Sequence, residues 1–241
     1  MSYQKSSNKS YSEIIKDKKK SSLRAGRLTE HKHSEKKIFN YIVKRLDLKK
    51  NDNLLDIGCG AGPLCDYLTK YCIKKKINLT LNDIPEIIEF VKNKNKNIKS
   101  KYIKYVSSEF QKKNFDKKFN KVICYSVIQC TNNPRIFFKK ILKVVCNLSL
   151  VLVGDIPNTS KKMRFLKSKF GHKFEEKRIK KKIINIKNYI KENKQNLLIN
   201  DEFISFSLSY ARRKGFNSYV LDQKNNFPFS YTREDILLEK F

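Results

Sequence analysis

Apolar positions recur at helical spacing over 30–46, where Ile38, Tyr41, Ile42 and Leu46 share a face, and they predict a helix that Thr29 can cap. Asn51-Asp52-Asn53 marks a turn, and beyond it the periodicity changes. Leu54-Leu55-Asp56-Ile57 reads as a short strand, followed by a glycine-rich turn and a helix over 63–73. The pattern then predicts a strand over 77–81, a helix over 85–91 and strands over 102–106 and 121–124. Asn133-Pro134 supplies a cap and a first-turn proline for a helix over 135–145. The run over 148–153 is continuously apolar, as a parallel strand covered on both faces would be. Residues 157–200 are very basic and lack strand signals, which predicts helices packed outside the sheet. A helix over 201–213 ends at Gly215 in a left-handed capping position, and strands follow over 217–221 and near 236–239.

Strand and helix thus alternate along most of the chain. The expected fold class is α/β, a doubly wound, mostly parallel sheet with helices on both faces. The expected division is a basic N-terminal arm with a cap helix over 1–50, including a weak helical patch over 11–19, and a domain over 51–241 in which 157–200 forms a helical cover. A chain of 241 residues that is 39% hydrophobic and 12% aromatic can bury a real core, which excludes a wholly disordered protein. No apolar run reaches the roughly 18 residues needed to span a bilayer. Residues 1–20 are polar and lack the apolar stretch of a secretory signal, so the expected location is the cytoplasm.

Charge changes the picture more. Fifty-four Lys and Arg against 23 Asp and Glu leave a net charge of +31, a balance that points to nucleic acid or another anionic surface. Only nine of these cations are Arg and 45 are Lys, and Asn and Ile are abundant too, as in Asn93-Lys94-Asn95-Lys96-Asn97-Ile98-Lys99. All three abundant residues have A/T-rich codons, whereas proteins that read phosphates and bases favour the Arg fork. Compositional drift is therefore the first reading and a nucleic-acid footprint the second. The six cysteines, Cys59, Cys65, Cys72, Cys124, Cys130 and Cys146, include no C-x-x-C pair, so no metal site is expected and the thiols read as small core residues in a reducing compartment.

The strongest chemical signal is Leu54-Leu55-Asp56-Ile57-Gly58-Cys59-Gly60-Ala61-Gly62, a glycine loop between a strand and a helix. Such a loop lets a ligand approach the main chain, and the helix start behind it favours a carboxylate or phosphate. A dinucleotide fingerprint would require glycine where Pro63 stands. The run L-D-I-G-C-G-A-G resembles the first motif of the class I S-adenosylmethionine-dependent methyltransferases. The resemblance extends from Asp56 to the C-terminus and implies S-adenosylmethionine as cofactor on a Rossmann-like methyltransferase fold. It implies that Gly58, Cys59 and Gly60 cradle that cofactor, and that Asp56 orients its amino group or else steadies the loop. Asp83, with Ile84 beside it, matches the acid that holds the ribose hydroxyls; a carboxylate can accept from both, although capping the next helix is the alternative. Glu109 and Phe110 match the adenine-binding position, and Tyr125 lies beside the sulfonium region or packs as an ordinary aromatic. Gln129 stands where many relatives carry His, and Gln cannot act as a general base.

Methyl transfer asks the protein for proximity and orientation, and a neutral hydroxyl acceptor also benefits from a base. Asp155, at the end of the fifth strand, and His172, in the following segment, are the candidate catalytic residues. A structural partner for Asp155 and a plain surface role for His172 stay open. His31 and His33 lie in the arm. The run Gly154-Asp155-Ile156-Pro157-Asn158, with Ser160, Lys161 and Arg164-Phe165, resembles a subgroup associated with bacterial surface-polysaccharide and glycan modification. That implies a small-molecule acceptor, an anionic or nucleotide-linked sugar, held by Lys161, Lys162 and Arg164, unless these form a solvated helix face. Two rivals remain. An RNA methyltransferase fits the charge, but N-P-P-[YF] is absent where Cys124-Tyr125-Ser126-Val127 stands, and no RNA-binding module is recognisable. A non-catalytic protein on the same fold is the other.

Overall fold

The computed structural model describes residues 33–192, 196–223 and 227–241. The helical patch over 11–19, Thr29 and His31 lie outside them. The elements in chain order are α1 (Ser34–Arg45), β1 (Asn53–Ile57), α2 (Pro63–Lys75), β2 (Asn78–Asp83), α3 (Pro85–Lys94), β3 (Ile103–Ser107), β4 (Phe119–Tyr125), α4 (Pro134–Lys143) and β5 (Val145–Pro157). They continue with α5 (Thr159–Lys167), α6 (Lys169–Ile179), α7 (Ile186–Glu192), α8 (Asp201–Arg213), β6 (Asn217–Asp222) and β7 (Arg233–Lys240).

The seven strands form one sheet in the order β3-β2-β1-β4-β5-β7-β6. β1 pairs in parallel with β2 and β4, β2 with β3, and β4 with β5, whereas β7 runs antiparallel to both its neighbours. The expected doubly wound, mostly parallel sheet is present. Alternation of side chains along the strands builds its two cores. Leu54, Ile123 and Leu152 face α1, α2 and α3, while Leu55, Val122, Val151 and Val153 face α4 and α8, where Phe137, Phe138 and Phe203 fill the layer. Burial on both faces is what the continuous apolar runs in β4 and β5 encode.

One boundary differs from the sequence reading. The helix expected over 135–145 stops at Lys143, and β5 starts at Val145, three residues earlier than the apolar run suggested. Val145 pairs with Phe119 at the start of β4, so tertiary pairing claims a β-branched residue that helical periodicity had also fitted. The basic segment after β5 folds as α5, α6 and α7, and these helices carry a small core of their own around Leu166, Ile183 and Ile190.

Strand order reverses between β1 and β4, where β1 is flanked by β2 on one side and β4 on the other. A crevice at the carboxyl ends of these strands is the expected ligand site of such a sheet.

Candidate active site

The cavity of this fold opens at that switch point. Its wall comes from the end of β1 and the loop after it (Asp56, Ile57, Gly58, Cys59, Gly60), the start of α2 (Gly62, Leu64, Cys65) and the end of β2 (Asn82, Asp83, Ile84). Glu109, Phe110 and Gln111 follow β3, and Tyr125, Ser126, Val127, Cys130 and Thr131 follow β4. Glu35 of α1 closes one side.

The glycine loop is held by the neighbouring strand. Gly58 N–H donates to Asn82 O at 2.8 Å and Cys59 N–H to the same carbonyl at 3.2 Å. Gly60 N–H donates to Asp83 Oδ2 at 2.8 Å, and Ile84 N–H donates to Asp83 Oδ1 at 2.8 Å. Gly58 and Gly60 have φ of 69° and 60°, the left-handed region that suits glycine. A Cβ on Gly58 would also lie 2.5 Å from a methyl of Val127. At the start of α2, Gly62 provides no side-chain cap and Pro63 has no N–H, so the first free amides of the helix lie beside the cavity. This arrangement favours a carboxylate. Asp83 thus holds the Ile84 amide that precedes α3, and each of its oxygens keeps a further lone pair.

Electrostatics set this cavity apart from the rest of the chain. Four carboxylates line it, Glu35, Asp56, Asp83 and Glu109, and no Lys, Arg or His among the described residues does. Burial pushes the Asp56 carboxyl up to about 8, and the charge of Asp83 adds to the effect. Burial also lifts Asp83, to about 6, against the opposing pull of the Gly60 and Ile84 amides. Phe110 is buried and packs on Phe137 with ring centroids 5.2 Å apart, leaving a flat apolar wall beside Glu109. Tyr125 is buried with its hydroxyl 3.5 Å from Gln223 Nε2.

All nine residues expected at the cofactor, Asp56, Gly58, Cys59, Gly60, Asp83, Ile84, Glu109, Phe110 and Tyr125, line this one cavity. The residues expected to be catalytic do not. Asp155 is buried behind the wall with φ of 59°, at a register shift between β5 and β7. Its carboxylate accepts from Ser126 Oγ and pairs with Arg233 at 3.2 Å, and its amide donates to Asp235 at 2.7 Å instead of joining the ladder. His172 lies on α6, where Nε2 is 3.3 Å from Glu176 and Nδ1 is 3.3 Å from the Leu166 carbonyl. Gln129 does not line the cavity either; its carbonyl accepts from Asn196.

The basic triad of the insert is likewise committed within the fold. Lys161 reaches Asp222 at 2.8 Å, Lys162 is buried 3.9 Å from Glu175, and Arg164 makes a two-point pair with Asp201. None of the three lines the cavity, so the expectation that they sit nearest its mouth is not met. Each instead neutralises an acid that folding brings close, which sequence spacing does not reveal.

Among the cavity residues that no site expectation included are Ser126 and Glu35. Ser126, with φ of 61°, lines the cavity, and its hydroxyl donates to Asp155. A polar residue ending a fully buried strand was the available signal. Glu35 is buried three residues before Ile38 on the core-facing side of α1, and an acid on an apolar helical face is itself a mark of function. Among the described residues, no group of three or more His, Cys, Asp or Glu is arranged to hold a metal ion, and no helix is long and apolar enough to cross a membrane.

Comparison with known proteins agrees with this geometry. Residues 55–153 match a family model described as a methyltransferase domain. A ubiquinone biosynthesis O-methyltransferase of Rickettsia bellii is 27% identical over 127 residues, 51% of either chain, so the chain spans about half the length of the curated relatives it matches. Among solved structures, the plantazolicin methyltransferase BpumL, in complex with a triazolic desmethylPZN analog and SAH, superposes with a TM-score of 0.58 at 15% identity, over 92% of this chain and 90% of that one. Magnesium protoporphyrin IX methyltransferase from Synechocystis, with bound SAH, gives 0.57 at 11% identity, over 88% and 84%.

The Asp56 carboxyl supplies a test of the electrostatics. An acid whose pKa in the fold exceeds its unfolded value of about 3.9 contributes full stability only while protonated, and that contribution is lost as pH rises from about 4 to about 8. Asp56→Asn should therefore raise the thermal midpoint of the ligand-free protein at pH 9 and leave it near wild type at pH 4. Equal midpoints at pH 9 would show that Asp56 is not held in its neutral form.

Proposed function

We propose that this chain, whose residues 55–153 match a methyltransferase-domain model, is a class I S-adenosylmethionine-dependent enzyme that methylates a hydroxyl oxygen of a small organic molecule. The observation that carries this reading is the acid-lined cavity in a chain of net charge +31. S-adenosylmethionine bears a sulfonium and an ammonium against a single carboxylate, so it enters as a cation. A polyanion such as RNA would meet acidic side chains and, among the described residues, no Lys, Arg or His at the same wall, which weighs against the nucleic-acid reading.

The residues present fit the cofactor group by group. The uncapped start of α2 offers amides to its carboxylate. Asp56 would face the ammonium, Asp83 would accept from the ribose hydroxyls, and Glu109 with Phe110 would offer a polar edge and a flat face to adenine. When bound, S-adenosylmethionine supplies an activated methyl group.

Acceptor activation falls to Ser126 and Asp155. Ser126 Oγ takes a proton from the acceptor hydroxyl as its own proton passes to Asp155 Oδ2, the atom it already bonds. Arg233, 3.2 Å from the same oxygen, holds Asp155 in place; Asp155 acts through Ser126 and is a positioning residue. This gives a route for the proton in a site where Gln129 cannot act as a base. The acceptor is a small molecule. The sugar expectation rests on the Gly154–Asn158 run, whose Asp155 and Asn158 side chains are used within the fold, and the curated relatives are named for ubiquinone biosynthesis. A screen of hydroxylated aromatic acids beside nucleotide sugars separates the two acceptor classes.

Two outcomes test this reading. Affinity for S-adenosylmethionine, measured by calorimetry, should weaken as pH falls below about 8, where Asp56 holds its proton, and more steeply below about 6, because the ribose hydroxyls need the ionised Asp83. Asp83→Asn should remove the steeper step and cost about 1.5–3 kcal/mol, the worth of hydrogen bonds to a charged group. PH-independent affinity in the wild type would refute the assignment.

In the second, Ser126→Ala should lower kcat by roughly 10²-fold, the lower range of general acid–base contributions, with cofactor affinity unchanged. Asp155→Asn should likewise lower kcat and leave the affinity for S-adenosylmethionine unchanged. Full activity in Ser126→Ala would assign the proton to water.

A further inference from the structure

Outside the cavity, the described residues expose a concentrated aromatic cluster on the helices inserted after β5. Phe165 of α5 and Phe170 and Phe174 of α6 pack with Tyr231, which precedes β7. Phe165 stacks on Tyr231 with centroids 5.1 Å apart, and the remaining ring pairs lie between 5.8 and 6.1 Å. Packed against each other, the rings remain open to solvent: Phe170 is 61% exposed, Phe174 43% and Tyr231 39%. A buried core of this kind would be ordinary. An exposed one costs solubility and marks a surface that meets something apolar.

The charges around it show what that is. Lys167, Lys169, Lys173 and Lys177 are exposed on the same two helices, and none of them is in a salt bridge among the described residues. The only acids of α5 and α6, Glu175 and Glu176, are already engaged, the first by Arg178 and Lys162 and the second by His172 and the Ile183 amide. Lys180, Lys181 and Lys182 continue the positive surface, and Ile184, beyond them, is 98% exposed. On α6 the aromatic pair Phe170 and Phe174 and the basic pair Lys173 and Lys177 are each spaced one helical turn apart.

We propose that α5 and α6 form a docking face for a lipid bilayer carrying anionic headgroups, with Phe170, Phe174 and Tyr231 entering the interface and the free lysines lying at headgroup level. Aromatic side chains beside uncommitted lysines on a short amphipathic helix are the composition of an interfacial element. An RNA platform would present separate ring faces for base stacking, with Arg at the phosphates. Here the rings pack into one cluster, Phe165 face to face with Tyr231 and Phe170 and Phe174 tilted or edge-on to their neighbours, and the free cations are all Lys. The proposal does not depend on the cofactor reading, because the face lies outside the cavity wall.

A protein of net charge +31 will adhere to any anionic surface, so the aromatic residues decide the matter. The full chain is sedimented with vesicles of phosphatidylcholine and with vesicles containing about 30 mol% phosphatidylglycerol, at low and at physiological salt. We expect binding to the anionic vesicles that persists at physiological salt. Phe170→Ser with Phe174→Ser should lower that partitioning at least about tenfold, as expected when two rings lose their burial. Circular dichroism and S-adenosylmethionine binding report whether the variant is folded, and both side chains are exposed enough that it should be. Lys169→Gln, Lys173→Gln and Lys177→Gln together should weaken binding chiefly at low salt. The proposal is overturned if the wild type stays in the supernatant, or if the double Phe variant sediments like wild type. It is equally overturned if the same Phe substitutions abolish retention of a homopolymer RNA and leave vesicle binding intact.

Discussion

The carboxylate of Asp83 ties the glycine loop to the sheet. Its two oxygens take the amides of Gly60 and Ile84, so one side chain fixes the turn after β1 and the start of the helix after β2. Glycine makes that geometry accessible, since Gly58 and Gly60 adopt left-handed backbone that other residues enter at a cost. The Asn82 carbonyl completes the clasp by accepting from Gly58 and Cys59, and the Asn82 side chain donates to carbonyls at the end of β3. Strands β1, β2 and β3 are thereby held in register where the cavity opens, and every wall residue they carry inherits its position from this clasp.

The sequence makes this half of the molecule legible because its determinants are local. Apolar periodicity reports burial on both sheet faces, and Asn133-Pro134 and Gly215 punctuate the helices they flank. The glycine loop and Asp83 fall at the ends of adjacent strands, so strand order alone brings them together. The failures are non-local. Val145 is drawn from a helix into β5 by pairing with Phe119. Asp155 is turned from the cavity by a register shift against β7, a strand that arrives about 80 residues later and brings Arg233 and Asp235. No spacing within the Gly154–Asn158 run announces those partners.

The insert teaches the same lesson with charge. Lys161, Lys162 and Arg164 looked like an open basic cluster, yet Asp222, Glu175 and Asp201 meet them after folding. A surface pair is worth little on its own. Lys162, buried and with its pKa lowered by that burial, is the exception: removing Glu175 would strand a charge among apolar side chains. Among the described residues outside the insert, the Lys74–Lys76 run stays exposed at the end of α2.

The segregation of charge between surface and cavity has a thermodynamic consequence. With the cavity empty, Asp56 and Asp83 retain protons well above the ordinary carboxylate range, because each would otherwise be a poorly hydrated anion beside another. A cation that enters removes the reason for holding them. Near neutral pH Asp83 is already ionised, so Asp56 is the acid that releases its proton to the solvent, and ligand capture becomes an exchange of one positive charge for another. The measured heat of such an event includes the heat of protonating the buffer, so its sign can change between buffers of different ionisation enthalpy while the intrinsic contacts stay the same.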